Sequence, residues 1–289
     1  MVKRLRIFPF LSAAGRCHNS FCVSGPETDP MERSLGVVVP AYRPDVDRLA
    51  NYVRAIEETL DPDAIRIELD APAPPVVERL RELPAAVAVA NARRGKGAAI
   101  THGFEALSTD VLAFADADGS TSVAALATVV DPVETGEADL AVGSRRHPDS
   151  TVTSHQTVAR RWLGNGFAFL ARLALSVPLY DFQCGAKAID ADAWASVREH
   201  LYEPGFAWDL ELIAIADAMG YAIEEVPIEW EDQPGSTVSP IGTSLALARA
   251  LVVVRHRARR LGDHPLHSAI ETYREEGPAL VDRPDHNHD

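Results

Sequence analysis

The sequence predicts an α/β protein: a mostly parallel sheet with helices on both faces. Three observations carry this. Strand-like and helix-like segments alternate from Leu35 to Gly143. Val111–Ala115 is a short, wholly apolar run with a β-branched residue and an aromatic, which suits a strand buried on both faces. Polar motifs follow the segments read as strands, and so gather on the rim where such sheets bind ligands.

In order, Leu35–Val39 reads as a strand ended by Pro40. A helix from about Asp45 to Leu60 carries Val46, Leu49, Val53, Ile56 and Leu60 at helical spacing. Ile65–Leu69 is a strand closing on Asp70, followed by a helix from about Pro75 to Leu83 and a strand at Ala86–Ala90. Gly95-Lys96-Gly97 leads into a helix from about Ala98 to Leu107. After the strand Val111–Ala115 come a helix at about Val123–Thr135 and a strand at Leu140–Gly143.

Beyond residue 145 the rhythm changes. His147–Gln156 reads as a loop, Val158–Leu175 as a helix and Asp181–Ile189 as an edge strand. A helix at Trp208–Met219 bears Asp209 and Glu211, Ala222–Ile228 is a strand, and Glu231–Pro240 is a loop. A helix from about Thr243 to Arg260 ends in Arg255-His256-Arg257-Ala258-Arg259-Arg260.

The 289 residues carry a net charge of −14, which excludes a general nucleic-acid binder. Only Lys3, Lys96 and Lys187 are lysines, and this acid-rich, lysine-poor composition resembles that of proteins from salt-loving archaea. Cys17, Cys22 and Cys184 lack metal-site spacing and cannot all pair, so a reduced, cytoplasmic setting is expected. No apolar run reaches the roughly 20 residues needed to cross a bilayer. Residues 1–34 read as a disordered extension or as sequence ahead of a start at Met31, with a weak signal peptide as the alternative that Pro9 and the short apolar run oppose. Residues 263–289 read as a loose tail.

The chemistry centres on Asp116-Ala117-Asp118-Gly119. Alternation along the strand points Asp116 and Asp118 the same way, and two such carboxylates repel unless a cation or proton lies between them. A hard divalent cation meets that need, while an Asp-rich turn with Gly119 at its special angle is the competing reading. Gly95-Lys96-Gly97 fits either an anion-binding helix start or a plain helix-initiating turn, and it lacks the spacing of a nucleotide-hydrolase phosphate loop.

The order of the motifs is more specific than any one of them. Val37-Val38-Val39-Pro40-Ala41-Tyr42, Arg94-Gly95-Lys96-Gly97-Ala98-Ala99, Asp116-Ala117-Asp118-Gly119, Val142-Gly143-Ser144-Arg145-Arg146, Asp181-Phe182-Gln183-Cys184-Gly185-Ala186-Lys187, Phe206-Ala207-Trp208-Asp209-Leu210-Glu211-Leu212 and Glu225-Val226-Pro227-Ile228-Glu229-Trp230 follow one another. Over residues 35–240 this series resembles the family-2 inverting glycosyltransferases, whose fold is called GT-A. Within them it is most similar to the dolichyl-phosphate glucose and mannose synthases. The resemblance implies a nucleotide-sugar donor of the UDP-glucose or GDP-mannose type, Mg²⁺ or Mn²⁺, and a dolichyl or other polyprenyl phosphate as acceptor. It implies that Pro40, Ala41 and Tyr42 line the nucleotide pocket with Asp70 near the base or ribose. Lys96, Asp116 and Ala117 belong with that donor set, and Asp116 and Asp118 handle the sugar and the metal on the diphosphate. Arg145 meets the acceptor phosphate or the diphosphate, with Lys187 a further candidate. The chain departs from the family at Arg43-Pro44, at Leu69-Asp70-Ala71-Pro72 and at Gly235-Ser236-Thr237, where relatives carry Asn-Glu, Asp-Asp-Gly-Ser and Gly-Ser-Lys.

The acceptor sets the remaining requirements. A hydroxyl acceptor needs a general base, for which Asp209 and Glu211 join Asp118 as catalytic candidates. A phosphate acceptor is already anionic and needs cations, and Arg145, Arg146, Arg160 and Arg161 fit that role. Residues 241–262 form a C-terminal helix that either lies on a membrane surface or packs on the sheet. The expected protein moves a hexose to a lipid phosphate and touches the cytoplasmic face of the membrane peripherally. A hydroxyl acceptor, or non-catalytic nucleotide-sugar binding, are the alternatives.

Overall fold

The structure, a computed structural model, describes residues 33–153, 158–231, 240–261 and 277–283. The elements run β1 (Leu35–Tyr42), α1 (Val46–Leu60), β2 (Ala64–Asp70), α2 (Pro74–Leu80), β3 (Ala86–Ala90), α3 (Lys96–Glu105), β4 (Val111–Ala115), α4 (Val123–Glu134) and β5 (Leu140–Ser144). They continue with β6 (Thr151–Thr153), α5 (Val158–Leu175), β7 (Ala186–Asp190), α6 (Ala191–Val197), α7 (Trp208–Ala218), β8 (Ile223–Pro227), β9 (Glu229–Glu231) and α8 (Pro240–Leu261).

The seven-stranded sheet has the order β3-β2-β1-β4-β7-β5-β8, and β6 pairs with β9 in a separate two-stranded ribbon. All strands of the large sheet run parallel except β7, which is antiparallel to both β4 and β5. The carboxyl ends of β1, β2, β4 and β5 therefore share one rim, as expected.

Helix starts follow their caps. The Asp45 carboxylate accepts from Arg48 N–H at the head of α1, Ser122 Oγ accepts from Ala125 N–H at α4, and Asp190 accepts from Asp192 and Ala193 N–H at α6. Alternation along the central strands divides the core into two layers. Val37, Val39, Ala113 and Ala115 pack with α1 and α4, whereas Val38, Leu112 and Phe114 pack with α3, α6 and α7.

Three expectations change. β1 does not stop at Pro40. Its pairing with β4 ends at Val38–Phe114 while its pairing with β2 runs on to Tyr42–Asp70, so Pro40 lies where the strand has a neighbour on one side only. The Asp181–Ile189 segment is not an edge strand; its ordered part, β7, sits between β4 and β5. Lys187, 1% exposed, breaks what would otherwise be the apolar run of a central strand. Arg33 and Ser34 already belong to the fold, through bonds from Arg33 to Val133 O and Asp190 and from Ser34 to Asp110.

The C-terminal helix packs rather than lying free. Leu247, Ala250, Leu251 and Val254 of α8 are buried in the second core layer. Two of its terminal arginines are also engaged, Arg255 with Ala174 O at 2.6 Å and Arg257 with Glu211 at 2.6 Å. Residues 1–32, 154–157, 232–239 with the Gly235-Ser236-Thr237 departure, 262–276 and 284–289 lie outside the described residues.

Candidate active site

The parity of β4 explains the centre of the site. Asp116 continues the Leu112–Phe114 face, towards α3 and α7. Its carboxylate Oδ1 lies 3.0 Å from Lys96 Nζ, at the first residue of α3. Lys96 Nζ also reaches Asp209 Oδ2 at 3.2 Å, on α7. Asp209 Oδ1 accepts from Lys187 Nζ at 2.6 Å, and Lys187 donates as well to Cys184 O at 2.9 Å. Both ammonium groups lie over the Phe114 ring, 4.9 and 5.5 Å from its centroid. Two of the chain's three lysines thus form one alternating chain of charge: Asp116, Lys96, Asp209, Lys187.

Burial alone would neutralise Lys96 and Asp209, yet their partners favour the ionised form of each. Desolvation opposes the charge of Lys96, but Asp116 and Asp209 outweigh it and raise its pKa. Desolvation likewise opposes ionisation of Asp209, and Lys187 and Lys96 outweigh it, so its pKa is lowered. Lys187 sits too deep to meet an acceptor, and its place in the acceptor set is corrected: it anchors Asp209.

The start of α3 is shaped by packing. A Cβ on Gly97 would lie 2.4 Å from Trp208 Cβ and 2.6 Å from Glu203 O, and one on Gly95 (φ +103°) would meet Pro204 O at 2.5 Å. Ala98 N–H donates to Pro204 O at 3.0 Å. The two glycines therefore admit residues 203–207 and the start of α7.

Asp118 is exposed, and its Oδ1 accepts from Ser120 N–H at 2.9 Å across the Gly119 turn (φ +66°). Beneath the turn lies Tyr52, 8% exposed, whose hydroxyl has no hydrogen-bond partner among the described residues. Burial first, then the charges of Asp116 and Asp118, push its pKa up. Two all-oxygen carboxylates and an orphaned buried hydroxyl at a strand end fit a hard divalent cation completed by phosphate oxygens and water. No cluster of three or more potential ligands occurs among the described residues, so such a cation would depend on the substrate for its remaining ligands.

A second cluster stands at the end of β5. Asp181, fully buried, accepts from Arg145 Nε at 2.7 Å, Arg145 Nη2 at 3.0 Å and Arg146 Nη1 at 2.8 Å. Arg145 N–H (3.2 Å) and Gln183 N–H (3.1 Å) complete its shell. Burial opposes ionisation of Asp181, but the two guanidinium groups outweigh it and hold the carboxyl well below the usual range. Arg145 also donates to Gln183 O at 3.0 Å and lies 5.6 Å from the Trp230 ring centroid. Two guanidinium groups against one carboxylate leave one net positive charge, and Arg146 Nε and Nη2 have no protein partner among the described residues. Sequence reasoning missed Asp181. Its signal was present in the Asp-Phe-Gln-Cys-Gly motif, but its partners lie 36 and 35 residues away.

The other expected site residues divide. Tyr42 is half-buried at the end of β1, with Arg93 4.3 Å and Arg43 5.2 Å from its ring centroid. Pro40 is half-buried beside it, whereas the Ala41 side chain packs into the first core layer, leaving only its backbone for a pocket wall. Ala117 is half-buried between the two acids. Asp70 holds the 93–95 loop: it accepts from Arg94 N–H (2.8 Å), Arg94 Nε (2.8 Å) and Gly95 N–H (2.9 Å). Glu211 does not join Asp209. It is fully buried, accepts from Tyr202 and Glu203 N–H, each at 2.7 Å, and pairs with Arg257; burial dominates and raises its pKa. Glu211 thus ties α7 to α8, and its catalytic assignment is corrected. Arg160 and Arg161 fall on the first turns of α5, and their side chains lie outside the described residues.

Against this geometry, residues 36–196 match the family described as glycosyl transferase family 2. Glycosyltransferase AglD of Haloferax volcanii is 29% identical over 229 residues, covering 75% of this chain and 36% of that protein. The dolichyl-phosphate beta-glucosyltransferase of Saccharomyces cerevisiae is 31% identical over 173 residues, covering 56% of this chain and 52% of that protein. The chain thus spans about half or less of the length of these relatives. Among solved structures, the glucosyl-3-phosphoglycerate synthase of Mycobacterium tuberculosis, in complex with Mn²⁺, UDP-glucose and phosphoglyceric acid, superposes with a TM-score of 0.59 at 18% identity, over 77% of this chain and 80% of that one.

Proposed function

We propose, for a chain that belongs to glycosyl transferase family 2, transfer of a hexose from a nucleotide-sugar to dolichyl or another polyprenyl phosphate, with inversion and with a divalent cation. The observation that carries the acceptor assignment is the state of the buried acids. Each oxygen of Asp209 is bonded to a lysine, and Glu211 is turned away onto Arg257. A hydroxyl nucleophile needs a base whose pKa lies near the working pH. Asp209, held anionic by two ammonium groups, is a poor one. A phosphate monoester needs no such base, because its second pKa is about 6. It needs a fixed cationic seat, and Arg145 and Arg146, pinned by Asp181, provide one.

The roles follow from position. Asp116 and Asp118 would hold the Mg²⁺ or Mn²⁺, which when bound neutralises charge on the departing nucleoside diphosphate. Tyr42, Pro40 and the Ala41 backbone border the nucleotide. Asp70 fixes the 93–95 loop that leads to Lys96, and Asp209 positions Lys96 through its second oxygen. Arg145 and Arg146 hold the acceptor phosphate, and Asp181 keeps both guanidinium groups oriented. The names of the family relatives and the UDP-glucose and Mn²⁺ of the structural neighbour are consistent with this donor, acceptor and cation.

A lipid acceptor requires contact with a membrane. No helix among the described residues is long and apolar enough to cross one. Peripheral contact, on the cytoplasmic face, is best supplied by α5, which exposes Phe169, Leu170 and Leu173 (66%, 54% and 68%) around Arg172. The test is to offer labelled UDP-glucose and GDP-mannose separately, with Mn²⁺ and polyprenyl phosphate, and to count label entering the organic phase. Label from one donor, abolished by Asp118→Ala, is the expected result. Label appearing only on water-soluble products would overturn the lipid acceptor.

A further inference from the structure

Asp116 is already occupied. Its Oδ1 is paired with Lys96 at 3.0 Å. On the other side the Gly185 backbone presses so close that a Cβ there would lie 2.3 Å from Asp116 Oδ2. Asp116 N–H donates to Gly185 O at 2.8 Å, which fixes this approach. Asp118 has one oxygen engaged by Ser120 N–H. A divalent cation arriving alone therefore meets a carboxylate with one oxygen held by an ammonium group and the other close against the Gly185 backbone.

Lys96, in turn, does not depend on Asp116 for its position. Its second bond is to Asp209, and Asp209 is anchored from its other oxygen by buried Lys187. The ammonium is thus tethered from behind and can release Asp116 without leaving the site.

We infer that Lys96 is a built-in competitor for the cation at Asp116, so that the divalent metal binds weakly to the free protein and enters as its complex with the donor diphosphate. This rests on the donor reading above. The physical basis is mutual exclusion of two cations at one carboxylate oxygen. The diphosphate changes the balance twice, by supplying oxygen ligands to the metal and by adding negative charge near the displaced ammonium. Lys96 is a positioning residue in this scheme, and it sets the order in which metal and donor arrive.

The experiment measures Mn²⁺ binding by the loss of its free electron paramagnetic resonance signal, in wild type, Lys96→Met and Lys96→Gln, each with and without UDP or GDP. In wild type, nucleotide should tighten Mn²⁺ binding strongly. In both variants, binding without nucleotide should tighten at least about tenfold, the order expected when one unit charge about 6 Å from a divalent cation is removed in a water-like dielectric, and the nucleotide-linked gain should shrink by the same factor. Circular dichroism establishes that each variant is folded. A purely structural role for Lys96 predicts no tightening in either folded variant, and that result overturns the inference. Lys96→Gln keeps a polar side chain at the position, so it serves if Lys96→Met fails to fold. If wild type binds no Mn²⁺ even with UDP or GDP, the donor reading itself fails, and the inference with it. Strong nucleotide-dependent binding in wild type with unchanged donor-free affinity in the variants refutes the inference alone.

Discussion

Replacing Asp181 with Asn removes the buried charge around which Arg145 and Arg146 are arranged. The carboxylate is fully buried and accepts from Arg145 Nε, Nη2 and N–H, from Arg146 Nη1 and from Gln183 N–H. Breaking a buried ion pair from one side costs about 3–5 kcal/mol, because the remaining charge loses its partner. The two arginine side chains retain 23% and 28% of their exposure, so water compensates part of that loss. The expected cost is therefore at the lower end, about 3 kcal/mol. Urea unfolding of wild type and Asp181→Asn measures it directly. The same variant should raise the KM for the acceptor phosphate while leaving the donor KM nearly unchanged, since Asp181 touches neither Asp116 nor Asp118. A stability loss below about 1 kcal/mol, typical of a surface pair, or an unaltered acceptor KM, would refute the reasoning.

Three further predictions follow from the same structure. Gly97→Ala forces a methyl group to within 2.4 Å of Trp208 Cβ; thermal unfolding should show a loss of about 1–3 kcal/mol, together with lower turnover as Lys96 shifts. Asp181, Asp209 and Glu68 all have lowered pKa values, burial being outweighed in each by cationic partners. Their stabilisation is complete above the unfolded carboxylate values of about 4 and is lost as pH falls through the lower folded values. Melting temperature at constant salt should therefore fall below about pH 4, with a shallower fall in Asp181→Asn. Phe169→Asp combined with Leu173→Asp should abolish flotation with anionic vesicles yet preserve transfer to a short, water-soluble polyprenyl phosphate; equal loss of both would place these residues in the catalytic fold rather than at the lipid surface.

Much of this architecture was legible from local pattern. The alternation of strands and helices through residue 143 stands, because β1, β3, β4 and β5 are largely apolar and β2 sets Ile65, Ile67 and Leu69 at alternate positions. Strand β4 was legible for the same reason, whereas the turn that carries Asp118 beyond Ala115 was not. β7 was not, since a lysine in mid-strand looks like an edge until its partner, Asp209, is brought to it by α7. Helix α6 is only seven residues long and follows directly on β7, whose last residue, Asp190, caps it; it is too short for periodicity to reveal. Asp181 and Glu211 were misjudged for a common reason. A carboxylate's role depends on which cations fold against it, and those come from 36 and 46 residues away. One available signal went unused: in a chain with three lysines, two fall in the motif series itself.

A phosphate acceptor seated on arginines would need no base. This is tested most directly by offering the protein two acceptors that differ only at the head, a polyprenyl phosphate and the corresponding polyprenol, with the same labelled donor and Mn²⁺. The account predicts lipid-linked sugar from the phosphate alone, lost when Arg145 and Arg146 are both replaced by Gln. Sugar transfer to the alcohol at a comparable rate would contradict it and restore a catalytic base to the site.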